Sequence, residues 1–73
     1  MKTFIKYLHD SFDETSLEDL TPNKKISEIP EWDSITILTV IDIADRHYSK
    51  NIDGSDIEKC TTLKELYNMI KNK

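Results

Sequence analysis

The apolar run from Ile35 to Ile43 constrains the fold of this 73-residue chain more than any other feature. Its many β-branched residues favour a strand on propensity alone. The polar residues in and after the run nevertheless recur every three or four positions, which is the period of a helix and not the alternation of a strand. They are Thr36, Thr39, Asp42 and the Asp45-Arg46 pair. The spacing therefore predicts a helix over residues 35–48.

This predicted helix holds more apolar residues than one packing face needs. Its deepest line is expected to consist of Leu38, Ile41, Ala44 and Tyr48. The residues that flank this line are Ile35, Ile37, Val40 and Ile43. The surplus predicts either burial on two sides or an apolar surface that serves another purpose.

Composition limits how such a helix can be buried. The chain has one Gly, two Pro and one Cys, so helices joined by short links are favoured over a turn-rich β-protein, and no internal disulfide can form. A chain of this length is expected to form a single domain, residues 1–73, whose small core holds by packing alone. Cys60 is expected to pack as a small hydrophobe.

Two further helices follow from the same apolar period. One is predicted over residues 3–12, where Phe4, Ile5, Leu8 and Phe12 share a face. The other is predicted from residue 62, where Leu63, Leu66, Tyr67 and Ile70 share a face. Ser55-x-x-Glu58 and Thr62-x-x-Glu65 match the capping-box pattern, so a short helix over residues 55–59 is predicted before the last one.

Residues 13–33 show no sustained periodicity and are predicted to form a long connection. A structureless loop of this length is unusual in so small a domain, so we expect it to be packed down at intervals. Its expected anchors are Leu17, Leu20, Ile26, Ile29 and Trp32. A short helical turn is predicted from Ser16 to Leu20, while Pro22 and Pro30 disfavour helix at the residues before them.

Asp33 and Ser34 stand immediately before the long helix, and two interpretations fit them. Asp and Ser side chains cap helices by accepting hydrogen bonds from the free N–H groups of the first turn. A serine there is equally suited to be an attachment point, because a phosphate ester would face the same N–H groups and the positive end of the helix dipole. The dipeptide alone does not separate the two interpretations.

The net charge of −4 is concentrated in the middle of the chain. The segment from Ile26 to Glu58 contains eight acidic residues and only two basic ones, Arg46 and Lys50, so its net charge is −6. Such a field would repel nucleic acid and attract basic protein surfaces. A solvated acidic surface of no particular function would have the same composition.

No set of residues predicts catalysis or a metal site. His9 is expected to be exposed, and His47 has no partner for acid–base or ligand work. The sequence Asp53-Gly54-Ser55-Asp56 lacks the acid pattern of an EF-hand and is interpreted as a turn followed by a cap. No apolar run is long enough to span a membrane, and the N-terminus lacks the apolar stretch of a signal peptide, so an intact cytoplasmic chain is expected.

Together these features resemble the acyl carrier protein family, whose members are small acidic helical bundles with an Asp-Ser-Leu signature at the start of the second helix. Asp33-Ser34-Ile35 matches that signature with a conservative Ile, and Thr61-Thr62-Leu63 matches at the family's spacing. The other matching residues are Leu38, Val40, Ile41, Tyr48, Ile52, Ile57, Lys59 and Ile70. The resemblance implies an all-α bundle of three longer helices and one short helix, with a long loop between the first two.

The resemblance also implies that the chain is a carrier and not an enzyme. Ser34 would be the site at which a phosphopantetheinyl transferase (holo-acyl-carrier-protein synthase) attaches phosphopantetheine from coenzyme A, with Asp33 beside it for transferase recognition. Acyl groups would be carried as thioesters and presented to loading and transfer enzymes of fatty acid, lipopolysaccharide, polyketide or related biosynthesis. A monomer is expected. The residues implied in docking to basic partner faces are Trp32, Ile35, Asp42, Asp45, Asp53 and Asp56.

The chain departs from the family pattern at Trp32, where Gly is common. Its second helix places Thr36, Thr39, Arg46 and His47 among the usual acidic residues. These departures favour a discrete carrier of a specialised pathway over the housekeeping carrier of fatty acid synthesis. Two alternatives remain open: an aminoacyl or peptidyl carrier with the same chemistry, and an unmodified interaction domain in which Asp33 and Ser34 only cap.

Overall fold

A computed structural model describes the whole chain, Met1–Lys73. It contains four α-helices and no strand, which confirms the all-α class. The helices are α1 (Lys2–His9), α2 (Ser34–Tyr48), α3 (Gly54–Glu58) and α4 (Leu63–Lys71). They pack into a body of 28 × 22 × 21 Å. None of them combines the length and the apolar character that crossing a bilayer requires.

Helix α1 is shorter than the predicted 3–12, because it ends at His9. The chain leaves it through a tight turn, in which the N–H groups of Ser11 and Phe12 donate to the carbonyls of Leu8 and His9 at 3.0 and 2.9 Å. The Ser11 hydroxyl also donates to the Leu8 carbonyl at 2.6 Å. Phe12 is nevertheless buried, so the apolar period correctly predicts the burial of its side chain but wrongly predicts a helical backbone there.

The core consists of fourteen buried apolar residues drawn from all four helices and from the connections. The residues with no exposed surface are Phe4, Leu8, Val40, Ala44, Leu63, Leu66 and Ile70. The Phe4 ring centroid lies 6.3 Å from that of Tyr48 and 5.7 Å from that of Tyr67, which joins α1 to α2 and α4. The predicted apolar faces of α1 and α4 are confirmed.

Of the predicted deepest line of α2, only Ala44 is fully buried. Leu38 is 65% exposed, Ile41 and Tyr48 are half-buried, and the other buried residues of the helix are Thr36, Val40 and Ile43. Thr36 points inward because its hydroxyl has partners there: it donates to the Glu31 carbonyl and to Asp33 Oδ1, both at 3.2 Å. A buried hydroxyl whose hydrogen bonds are made costs little free energy, so a threonine does not reliably mark the solvent side of a helix.

The long connection is packed down largely as predicted. Leu20 and Ile29 are buried and Ile26 and Trp32 pack partly against the core, but Leu17 is 47% exposed and is not an anchor. The predicted helical turn is a 3-10 turn at Leu17–Asp19, and a second, at Ile26–Glu28, was not expected from the sequence.

Backbone hydrogen bonds also hold this connection against the start of α4. Lys25 and Thr62 form an isolated antiparallel β-bridge. On either side of it, the N–H of Ile26 donates to the Thr61 carbonyl at 2.8 Å, and that of Leu63 donates to the Lys24 carbonyl at 3.1 Å. The connection therefore depends on the C-terminal helix as well as on its own apolar side chains.

The two short-range caps differ in how well the sequence predicts them. Thr62 caps α4 as expected, accepting the Glu65 N–H at 3.2 Å. Helix α3 is capped by Asp53 and not by Ser55: Asp53 Oδ1 accepts the Asp56 N–H at 3.0 Å, and Asp56 Oδ2 accepts the Asp53 N–H at 3.1 Å. Asp and Ser both suit the N-cap position, and here the reciprocal capping box forms with Asp53, the earlier of the two candidates in the chain. Residues 53–56 therefore form the cap and the first turn of α3, so a cap is present as predicted but it begins the segment and does not follow a turn.

Helix α2 ends in a left-handed turn at Ser49, whose φ of 55° is the only positive φ in the chain. The following N–H, of Lys50, returns to the Ala44 carbonyl at 2.9 Å. Glycine is the usual residue at such a position, because a Cβ atom is crowded there.

Candidate modification site at the start of helix α2

Ser34 is the first residue of α2, and Asp33 is its N-cap. The Asp33 backbone is extended, and its Oδ1 accepts the Thr36 N–H at 3.0 Å. Since Asp33 performs the capping, the Ser34 side chain is not needed for it. Ser34 is exposed, and its hydroxyl makes no hydrogen bond within the protein.

Two backbone N–H groups at this helix start are also free. The first N–H bonded to a carbonyl is that of Ile37, which donates to the Asp33 carbonyl at 3.1 Å, and the Thr36 N–H is taken by the cap. The N–H groups of Ser34 and Ile35 have no acceptor in the protein. Free N–H groups at the positive end of a helix favour an oxyanion.

The residue that most firmly holds the chain before Ser34 is Glu31, which the sequence does not single out. Its carboxylate accepts the N–H groups of Asp13 and Glu14, both at 2.9 Å, and that of Thr15. These bonds span almost the whole connection. Because no local pattern relates a glutamate to backbone groups so far away in the chain, sequence reasoning had no signal for this contact.

These contacts also change the acidity of Glu31. Hydrogen bonding from Thr15, followed by that from the Asp13 N–H, lowers the pKa of Glu31 from 4.5 to about 2. The charged form is thus favoured by the folded state. Glu31 is a structural clamp three residues before the candidate site.

An apolar groove of about 370 Å³ opens beside the helix start. Ile29 and Ile57, both almost completely buried, form its floor. The half-buried side chains that form its walls are Ile26, Trp32, Ile37 and Cys60, and the exposed residues at its rim are Ser27, Glu58 and Thr61. Two of these lining residues, Trp32 and Ile37, lie two positions before and three positions after Ser34 in the chain.

Cys60 forms part of the groove wall, as a half-buried residue. Burial, followed by the negative charges of Glu65 and Asp56, raises the pKa of its thiol. Its Sγ lies 3.6 Å from the Asp56 carbonyl, a weak hydrogen bond. The thiol is therefore protonated near neutral pH and behaves as the small hydrophobe that the sequence predicts.

The outward face of α2 carries both apolar and acidic side chains. Ile35 is 71% and Leu38 is 65% exposed, and Asp42 and Asp45 follow them at helical spacing and are also exposed. We call these four residues the α2 stripe. Leu38 is missing from the residues predicted for docking, because the sequence placed it in the core.

The acidic residues predicted for docking have different surroundings. Asp42 Oδ1 lies 2.9 Å from Arg46 Nε in an exposed pair, whereas Asp45 has no such partner. Asp53 and Asp56 form the α3 cap, and Asp56 also pairs with Lys73 at 2.9 Å. Bonds from Ser55 to Asp53 and from Lys73 to Asp56 lower the pKa of each carboxyl group. These two carboxylates therefore already have partners within the fold, and their charges are less available to a docking protein than that of Asp45.

Neither histidine has the surroundings of a catalytic group. His47 is exposed and stacks on Tyr7, with ring centroids 3.8 Å apart and 12° between the planes. His9 is half-buried, so the expectation of full exposure is wrong. It is the last residue of α1.

No protein-family model matches the chain, and comparison with curated proteins and with solved structures finds no match.

Proposed function

We propose that this chain is an acyl carrier protein that is modified with phosphopantetheine on Ser34. The observation that carries the proposal is the division of roles at the start of α2, where Asp33 caps the helix and leaves the Ser34 hydroxyl exposed and without a partner. A serine needed only as a cap would accept an N–H of the first turn. The signature residues Asp33-Ser34-Ile35 and the distant Thr61-Thr62-Leu63 support the same function by resemblance.

The residues present at the site fit the proposed group. Modification requires a transferase to reach the serine Oγ, and Ser34 is exposed on the first turn of α2. In the transfer, Oγ forms a bond to the phosphorus of coenzyme A that bears the pantetheine half, the nucleotide half leaves with the electrons of the broken P–O bond, and the hydroxyl proton passes to base or solvent. The free N–H groups of Ser34 and Ile35, at the positive end of the helix, would favour the negative charge of the resulting phosphodiester.

The attached group would supply a terminal thiol on which acyl groups are carried as thioesters. The role of the chain is then tethering, because a substrate fixed to a docked carrier is presented to the enzyme at high effective concentration. No residue of this chain is required to act as a nucleophile or base in later steps. Weak docking suits this role, since one carrier has to visit several enzymes in turn.

The surface around Ser34 supports docking to basic partners. The α2 stripe begins one residue after Ser34 and places two apolar residues before two acidic ones. Acidic side chains steer a basic surface into an encounter, and exposed apolar side chains add contact area once it has formed. Two of the surplus apolar residues that the sequence shows in α2, Ile35 and Leu38, would thus contribute to partner docking on the outer surface of the bundle.

The groove favours an acyl group over an aminoacyl group as cargo. Its floor and walls are formed by apolar side chains and a protonated thiol, with polar residues only at the rim. The ammonium group of an aminoacyl cargo would find no buried partner there, and leaving such a charge unpaired is costly.

The direct test is intact-mass analysis after incubation with coenzyme A, Mg²⁺ and a promiscuous phosphopantetheinyl transferase. The wild-type protein should gain the mass of one phosphopantetheine, and S34A should gain none. S16A is the matched control, because Ser16 is also exposed and makes no side-chain cap bond, and it should be modified like the wild type. An unmodified wild type beside a positive-control carrier, or modification of S34A, would overturn the proposal and leave the unmodified interaction domain as the function to pursue.

A further inference from the structure

Trp32 occupies the position two residues before Ser34 and forms a wall of the apolar groove. We propose that Trp32 is a specificity-determining residue: its indole limits the groove to an unbranched apolar chain of on the order of ten carbon atoms. The inference rests on the proposed function, in that the chain is delivered from Ser34. Trp32 would thus select the length of the attached chain, whereas the acidic residues of the α2 stripe would bind partner proteins.

The backbone on both sides of the indole is fixed. The Trp32 N–H donates to the Ile29 carbonyl at 3.1 Å across Pro30, and Glu31 is held by its three backbone donors. The side chain itself packs against the core. A large, flat side chain held in this way cannot retreat without breaking contacts elsewhere, so it acts as a rigid wall.

The rest of the groove sets its capacity. Ile29 and Ile57 in the floor are 4% and 2% exposed, and displacing them would disrupt the core. The volume of about 370 Å³ is near the lower end of the range for small-molecule sites. A cavity of about 150 Å³ holds one benzene molecule, so this partly open groove suits a chain of about ten carbons and not a long fatty acyl chain.

The rim disfavours anionic cargo. The exposed Glu58 carboxylate and the hydroxyl-bearing Ser27 and Thr61 surround the opening, and no basic side chain lines the groove. An anionic group entering the groove would lose its hydration and meet a carboxylate. The apolar lining thus matches an unbranched hydrocarbon chain whose polar end stays outside the groove.

The groove contains two built-in reporters, because Trp32 and Cys60 are the only Trp and the only Cys of the chain. The experiment loads Ser34 directly from acetyl-, octanoyl- and hexadecanoyl-coenzyme A with the promiscuous transferase, so that the arm thiol is masked as a thioester. Relative to the acetyl form, the octanoyl form should show blue-shifted Trp32 emission. It should also show about fivefold slower alkylation of Cys60, which corresponds to a groove that is occupied about four-fifths of the time.

Variants at Trp32 test the size limit. In the wild type the protection of Cys60 should be greatest with octanoyl and weaker with hexadecanoyl. In W32A the maximum should move to the longer chain, and W32F, which keeps a ring and guards against loss of the fold, should behave like the wild type. A chain-length profile that is the same in W32A and wild type would overturn the inference, as would a Cys60 rate independent of the attached chain.

A probe without the arm separates this inference from the proposed function. Unmodified wild-type protein titrated with 1-octanol should show slower Cys60 alkylation and a blue shift of Trp32 emission, and the Cys60 alkylation rate of W32A, which has no Trp to report, should change less. If Ser34 is never modified but 1-octanol gives this response, the proposed function fails while the groove assignment stands. If Ser34 is modified but neither 1-octanol nor the attached octanoyl chain affects Trp32 or Cys60, the inference fails and the carrier function stands.

Discussion

Glu31 Oε2 lies 2.9 Å from the backbone nitrogen of Asp13, so a single carboxylate joins the two ends of the long connection. The same side chain accepts the next two N–H groups along the chain. The segment that leads into Ser34 is thus held by an ionised group and not only by apolar contacts. Its stability should therefore depend on pH.

The first prediction concerns acid unfolding. The folded pKa of Glu31, about 2, lies below the ordinary value of 4.5, so its stabilising contribution is fully present above pH 4.5 and is lost as the pH falls toward 2. E31Q should be less stable than wild type at pH 7, and its stability should change less between pH 5 and pH 2. Urea unfolding followed by Trp32 fluorescence measures both. E28Q, at an exposed glutamate of the same connection, is the control and should retain the wild-type pH slope.

A second prediction separates the two residues at the start of α2. Removing the cap by D33A should lower the free energy of unfolding by about 1 kcal/mol. S34A should change it by less than about 0.5 kcal/mol, since the hydroxyl has no partner to lose. Chemical denaturation of the two variants beside wild type decides the matter. A cost for S34A as large as that for D33A would mean that the serine also caps the helix.

A third prediction follows from the left-handed turn at Ser49. Glycine adopts a φ of 55° without the crowding that a Cβ atom causes, and this gain outweighs its greater freedom in the unfolded chain. S49G should therefore raise the free energy of unfolding by about 0.5–1 kcal/mol. S49A keeps the Cβ atom and serves as the control, with no gain expected. Thermal and urea unfolding should agree, and an equally stabilised S49A would point to a cause other than backbone strain.

A fourth prediction addresses the α2 stripe as a docking surface. D42K or D45K should slow transferase modification of Ser34 about threefold to tenfold at low ionic strength, and the difference should shrink as salt is added. The fold should be retained, because Asp45 has no partner and the exposed Asp42–Arg46 pair contributes little to stability. Initial rates by intact mass, with far-UV circular dichroism as a check, provide the measurement. D10K, at an exposed acid of the turn after α1, is the charge-matched control and should react like wild type.

The helices and their caps could be predicted largely because their causes are local. The apolar faces of α1 and α4 depend on side chains three or four residues apart, and Thr62 finds its partner in Glu65, three residues on. The same holds for the helical nature of α2, where the spacing of polar residues outweighs β-propensity. Local periodicity therefore predicts the class of the fold well.

The rotation of α2 could not be predicted in the same way. It depends on the Thr36 hydroxyl, whose partners lie in the connection, so a residue interpreted as solvent-facing is buried and Leu38 is exposed instead. The Glu31 clamp is likewise a contact between segments far apart in the chain. Ser34 could be predicted as a site from the residues next to it in the sequence. The groove could not, because its lining residues come from the long connection, α2, α3 and the residues that follow α3.

The pairing of Lys25 with Thr62 has a consequence for the order in which the molecule can be completed during synthesis. A nascent chain that has passed Ile43 already contains Ser34 and most of α2, but it lacks the backbone groups of Thr61 and Leu63 that hold the connection. Cys60 and Thr61, which close one side of the groove, also emerge late. The serine is therefore translated near the midpoint of the chain, while its surroundings take their final form only when the last helix has left the ribosome.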